Sequence, residues 1–197
     1  MSELNLILLG PPGSGKGTQG ETLQVDFRLP YYATGDILRS AVRDGTELGR
    51  QAKEYMDRGD LVPDELIVNM IAERIDSAEA ADGFILDGFP RTAPQAQALD
   101  AMLDAIGKPL DAVLLLEVGD DVALERLLSR RAEEGRNDDS LDVIRNRLRL
   151  YHGLTKPVVE RYREGGTLVA VNGERPVEDV SAAIEEELSR AVGAPRP

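Results

Sequence analysis

The sequence predicts an α/β fold: a five-stranded parallel sheet with helices on both faces, carried by a single domain of 197 residues. Three observations predict it. Short apolar segments alternate with longer helix-like ones along the chain. The apolar segments are continuous rather than alternating, as strands buried on both faces require. A glycine-rich turn joins the first apolar run to the first helical stretch.

The strands are expected at 4–9, 29–32, 84–87, 112–118 and 167–171. Helices fill the gaps, at 16–27, 36–44, 48–58, 64–76, 93–105, 120–131, 141–164 and 177–191. Asp64 after Pro63, and Asp120 after Gly119, are natural helix starts because a short acceptor side chain satisfies first-turn N–H groups. The chain between the first and third strands is longer than crossover helices need, so about 33–62 reads as a helical insertion. A polar excursion at about 131–141, containing EEGRNDDS, reads as a short lid.

Composition excludes several functions. Acidic residues outnumber basic ones 36 to 23, a net charge of −13, which repels nucleic acid and anionic membranes at long range. No apolar run approaches the ~20 residues that span a bilayer. The N-terminal MSELNL has no basic stretch before an apolar one, unlike a secretion signal. The absence of cysteine excludes disulfides and thiolate metal sites, and a cytoplasmic protein is the expectation.

The chemistry starts at Gly10-Pro11-Pro12-Gly13-Ser14-Gly15-Lys16-Gly17-Thr18, after a strand and opening a helix. Glycines let backbone N–H groups turn inward around a phosphate chain, the helix N-terminus adds its dipole, and Lys16 neutralises phosphate oxygens. This is a P-loop. Gly17, not Ser or Thr, follows the lysine and the hydroxyl comes one place later, at Thr18, so magnesium is expected to be held largely through waters and the nucleotide phosphates, with Thr18 as the nearest hydroxyl. A second stretch, Phe84-Ile85-Leu86-Asp87-Gly88-Phe89-Pro90-Arg91-Thr92, ends a strand with a carboxylate. In an open parallel sheet that end borders the ligand crevice, so Asp87 can hold magnesium through water and Arg91 can grip a phosphate with its fork. By themselves, Arg126 and Arg130 four apart on a helix, or Arg136 beside Asp138 and Asp139, read as solvated or paired surface charge.

GPPGSGKGT, ATGDILR, GDLVPDELI, LDGFPRT and the arginine-rich segment 126–147, in that order, resemble the nucleoside monophosphate kinase family, and its adenylate kinases in particular. The resemblance runs from Leu6 to about Gly173. It implies that Gly13, Ser14, Gly15, Lys16, Gly17 and Thr18 wrap the ATP phosphates, with Arg126 and Arg130 on the same side and Gly173 and Arg175 beside the ATP adenine. It implies that Thr34 meets the AMP base, Arg39 its phosphate, and Asp60, Leu61 and Val62 its pocket. Gly88, Phe89, Pro90, Arg91 and Gln95 resemble the AMP loop, with Gln95 on the adenine edge. Arg136 and Arg147 resemble the arginines that bridge the reacting phosphates. The insertion becomes the NMP-binding segment, and the chain the short-lid form. Longer-lidded relatives carry more residues there, some with zinc ligands; no structural zinc is expected here.

The implied activity is reversible transfer from Mg²⁺-ATP to AMP, giving two ADP, by a monomer with no nucleic-acid or membrane partner. Lys16, Arg91, Arg126, Arg130, Arg136 and Arg147 would supply cationic hydrogen bonds to a transition state whose charge lies on equatorial oxygens. The acceptor is already a phosphate oxygen, so no general base is needed. A UMP/CMP kinase is the nearest rival, and Thr34 and Thr92 favour AMP over it. A nucleotide-dependent switch is the rival from another class, and it lacks an Asn-Lys-x-Asp segment here. The lone His152 reads as a packing or surface residue in the long helix.

Overall fold

The computed structural model describes residues 3–134 and 140–192. Strand β1 (Leu4–Leu9) is buried along its whole length, and α1 (Lys16–Phe27) follows the glycine turn. Then come β2 (Tyr31–Ala33), α2 (Thr34–Arg43), α3 (Glu47–Arg58), α4 (Asp64–Ile75), β3 (Gly83–Asp87), α5 (Ala93–Ile106) and β4 (Ala112–Glu117). The chain closes with α6 (Asp120–Glu134), α7 (Leu141–Leu150), α8 (Lys156–Glu164), β5 (Leu168–Asn172) and α9 (Val177–Val192). All pairings are parallel, in the order β2-β3-β1-β4-β5. The strand C-termini therefore share one edge, and the turns that leave them meet there.

Side chains alternate between two apolar layers. Ile7, Leu9, Phe84, Leu86, Val113 and Leu115 face α4, α5 and α8. Leu6, Leu8, Ile85, Leu114 and Leu116 face α1 and α9, which contribute Leu23, Val180, Ile184 and Leu188. Burying each fully enclosed Leu, Ile or Phe contributes about 1.5–3 kcal/mol. A smaller cluster, Ala123, Leu127, Ile144 and Leu148, locks α6 to α7.

Most boundaries shift by one or two residues, α6 runs to Glu134, three past its expected end and into the expected lid, and three further differences are local. The second strand begins at Tyr31 rather than at 29, because Pro30 has no N–H for a ladder; its carbonyl still accepts from the Ile85 amide at 2.9 Å. A 3₁₀ turn, Ala78–Ala80, precedes β3 and was not expected. The expected helix at 141–164 is interrupted by a π turn, Tyr151–Thr155, in which the Lys156 amide bonds the Tyr151 carbonyl. Pro157 explains it: a proline clashes with the carbonyl four residues back, and a widened turn gives that carbonyl room.

Candidate active site

The loop after β1 folds around its own lysine. The Lys16 Nζ donates to the Gly10 and Pro11 carbonyls, both at 2.9 Å, and to Ser14 Oγ at 3.2 Å. Gly13 sits at φ +83, and a Cβ there would lie 2.6 Å from the Ala123 carbonyl of α6, so only glycine lets the loop pass. Lys16 keeps some surface in the cleft, but its ammonium is enclosed by protein. That burial pushes it down to about 8; Asp87 pulls the other way, and Arg91, Arg147 and Arg130 add to the depression.

The turn after β3 supplies the opposite wall. Arg91 Nε donates to the Gly88 carbonyl at 2.6 Å, and the Thr155 hydroxyl donates to the Arg91 carbonyl at 3.1 Å. Burial first, then Arg147, pulls the Arg91 guanidinium down to about 10, with Asp87 opposing. It remains a cation at neutral pH. The Thr34 hydroxyl donates to the Asp87 and Gly88 carbonyls, at 3.1 and 3.2 Å, so α2 starts against this turn. Asp87 Oδ2 accepts from the Tyr31 hydroxyl at 2.7 Å, and burial together with Asp87 pushes that phenol up, so it stays a donor.

These groups line one cleft of about 540 Å³. It brings together Gly13, Ser14, Gly15, Lys16, Gly17 and Thr18 from the first loop; Thr34 and Arg39 from α2; and Asp60, Leu61 and Val62 from the return of α3. It also holds Asp87, Gly88, Arg91 and Gln95 from the β3 side, and Arg126, Arg130 and Arg147 from α6 and α7. Arg39 is paired with Asp36 at 2.5 Å. Arg126 Nη1 donates to the Gly173 carbonyl at 2.8 Å, which puts Gly173 behind that arginine rather than on the cleft wall. The Asp60 side chain turns to Arg58 at 2.9 Å and Asn146 at 2.8 Å, which hold its carboxyl below the usual range.

Besides Gly173, four expected site residues stand off the cleft wall or outside the described residues. Phe89 is fully buried in the core under α5, and Pro90 is buried after a cis bond; neither lines the cleft. Both sit there because an apolar side chain next to a charged turn is driven inward. Arg175 is half exposed and paired with Asp179 at 3.6 Å, outside the cleft. Arg136, with residues 135–139 of the expected lid at 131–141, lies outside the described residues.

The sequence reading missed Glu21, Met56, Ile67, Tyr151 and Thr155 as wall residues, and Tyr31 as the partner of Asp87 behind the wall. Tyr31 carries no local signal: its hydroxyl reaches Asp87 only because β2 pairs with β3 in the register that sets Ala33 opposite Asp87. Proline at 157 was the available signal for the turn that brings Tyr151 and Thr155 to the cleft.

Asp87 fits a magnesium ion, and Thr18 lines the same cleft. A lone carboxylate with a free oxygen, bordering the phosphate loop, suits an ion that keeps most of its waters and takes its other oxygens from a nucleotide. Among the described residues no three His, Cys, Asp or Glu side chains gather to hold an ion on their own.

Comparison with known proteins gives one family. A family model described as adenylate kinase matches residues 8–167. The adenylate kinase of Xanthomonas campestris pv. campestris strain 8004 is 46% identical over 187 residues, covering 95% of this chain and 100% of the relative. That of Leptospira biflexa serovar Patoc is 46% identical over 179 residues, 91% of this chain and 96% of the relative.

Proposed function

The chain belongs to the adenylate kinase family, a family of phosphotransferases, and we propose that its cleft holds ATP and AMP end to end for direct in-line transfer. The donor's phosphates lie on Gly13–Thr18 with Lys16, Arg126 and Arg130. AMP lies between α2, the return of α3 and the β3 turn, with Thr34 and Gln95 on its base and Arg39 and Arg91 on its phosphate. Arg147, and Arg136 from outside the described residues, bridge the reacting groups. Magnesium, held by Asp87 through water and near Thr18, would neutralise charge on the donor's phosphates when bound.

One observation carries this reading. Lys16, Arg91, Arg126, Arg130 and Arg147 all line one cleft, inside a protein of net charge −13. Crowding cations costs folding energy, and a polyphosphate repays it. The arginines orient and neutralise equatorial oxygens, and no proton needs to move. Water competes as acceptor, so the α2–α3 hairpin and the segment at about 131–141 close over the substrates to exclude it. The same reading takes the protein as a cytoplasmic monomer without a nucleic-acid partner, supported by its negative charge and lack of cysteine. Among the described residues no helix is long and apolar enough to cross a membrane.

The test is a panel: protein, Mg-ATP and each nucleoside monophosphate in turn, with diphosphate formation as readout. AMP should be the preferred acceptor. Preferred turnover of UMP or CMP would replace the reading with the pyrimidine one, and no turnover of any monophosphate would remove the kinase assignment.

A further inference from the structure

Gln95 borders the acceptor side of the cleft with only 2% of its surface exposed. A carboxamide carries two N–H donors on nitrogen and two acceptor positions on oxygen, and a half-turn exchanges them. Here the half-turn is blocked. Gln95 Nε2 donates to Asp64 Oδ1 at 2.7 Å, and Gln95 Oε1 accepts from the Arg91 amide at 2.7 Å. A carboxylate only accepts, so the nitrogen must face it; reversal would set oxygen against oxygen and N–H against N–H. Asp64 is itself fixed. Its Oδ2 accepts from the Thr92 hydroxyl at 2.9 Å, and that hydroxyl also caps the Gln95 amide at 3.3 Å. Asp64 is the first residue of α4, two positions past Val62 on the same wall.

We propose that Asp64 is a positioning residue for acceptor selection: it holds the Gln95 carboxamide in the orientation that pairs with a 6-aminopurine rather than a 6-oxopurine. After Asp64 and Arg91 take their share, Gln95 has one donor and one acceptor position left. A 6-aminopurine offers an amino donor beside a ring-nitrogen acceptor, and a 6-oxopurine offers the reverse. Fixing which end of the amide is nitrogen therefore separates them, because the mismatched base leaves buried polar groups unpaired. The inference rests on the assignment of the AMP base to Gln95 made above.

The experiment is steady-state kinetics with Mg-ATP as donor and either AMP or inosine monophosphate as acceptor, on wild type, Asp64→Ala and Asp64→Asn. Asparagine can turn its oxygen to Gln95 and its nitrogen to the Thr92 hydroxyl, so it preserves the arrangement. We expect Asp64→Ala to raise KM for AMP and cut the AMP-over-IMP preference in kcat/KM, each about tenfold, with KM for ATP unchanged. Asp64→Asn should recover most of the preference. If alanine prevents folding by circular dichroism, Asp64→Ser answers the same question with a helix-starting hydroxyl too short to reach Gln95. An unaltered preference in the folded Ala or Ser variant, or an equal loss on both acceptors, overturns the proposal. A wild-type chain that does not phosphorylate AMP overturns the functional reading instead, and the wild-type arm alone reports that.

Discussion

Arg91 is held from several directions at once. Its Nε bonds Gly88, its amide bonds Gln95 and its carbonyl accepts from Thr155. A guanidinium fixed this way loses little freedom when a phosphate arrives, which favours the transition state. Arg91→Ala is expected to lower kcat/KM for AMP by about 100- to 1,000-fold. The melting temperature should hold within a few degrees, since relief of buried positive charge offsets the lost hydrogen bonds. Unchanged turnover by stopped assay would take Arg91 out of the mechanism. Lys16 makes a prediction about pH. Its ammonium sits at about 8 in the free protein, below its ordinary 10.5. A bound polyphosphate stabilises the charged form and raises that value. Binding of ATP between about pH 8 and 10 should therefore take up protons, with the uptake vanishing below about pH 7, where Lys16 is charged both free and bound. Calorimetry in two buffers of different ionisation enthalpy measures it; a heat independent of buffer at pH 8.5 would contradict it. By the same sign, ATP affinity weakens as pH rises through 8. For folding, the depressed value means that the cost of burying the charge is present below about pH 8 and fades as pH rises toward 10.5.

At the scale of elements, the acceptor wall depends on how closely two helices cross. Thr46 caps α3 by accepting from the Gly49 amide at 3.1 Å, and a Cβ on Gly49 would lie 2.0 Å from the Ala41 carbonyl of α2. That backbone contact cannot yield by a rotamer change. Gly49→Ala should splay α2 from α3, move Arg39 and the 60–62 return apart, and raise KM for AMP several-fold while leaving KM for ATP within twofold. Equal KM values for AMP in wild type and variant would show that the hairpin tolerates the shift. On the donor side, α6 is seated by Leu127, fully buried between Arg126 and Arg130 on the sequence and packed with Ile144 and Leu148 of α7. Its truncation to alanine is expected to cost about 2–5 kcal/mol in denaturant unfolding, with ATP affinity falling as the arginines lose their platform.

For the whole molecule, one parallel sheet gathers the strands' C-terminal ends on a single edge, and the cleft lies there. Surface charge contributes little to holding it together. Pairs such as Arg50 with Glu47 and Lys53 with Asp57 are largely exposed, so solvent screens them and each contributes little. The arginine cleft behaves differently, because its like charges are enclosed. A dinucleotide joined through five phosphates fills both halves without a second association cost, so it should raise the melting temperature well beyond what ATP or AMP does at equal concentration. A shift no larger than that with ATP would mean the two halves are not used together.

Local signals were enough for the strand and helix pattern and the glycine loop: apolar runs, helix starts, and glycines at fixed spacing around Lys16. The arginines that reach the cleft on α6 and α7 came only through the resemblance, since Arg126 and Arg130 by themselves read as surface charge. Which side chains turn toward one another came from the packing of the folded chain. Phe89 goes to the core and Arg175 to Asp179, although both lie in site-like stretches. Tyr31 reaches Asp87, and Asp64 reaches Gln95, across 56 and 31 residues. Such pairs are set by strand register and by the direction in which helices leave the sheet edge, and no local spacing encodes either.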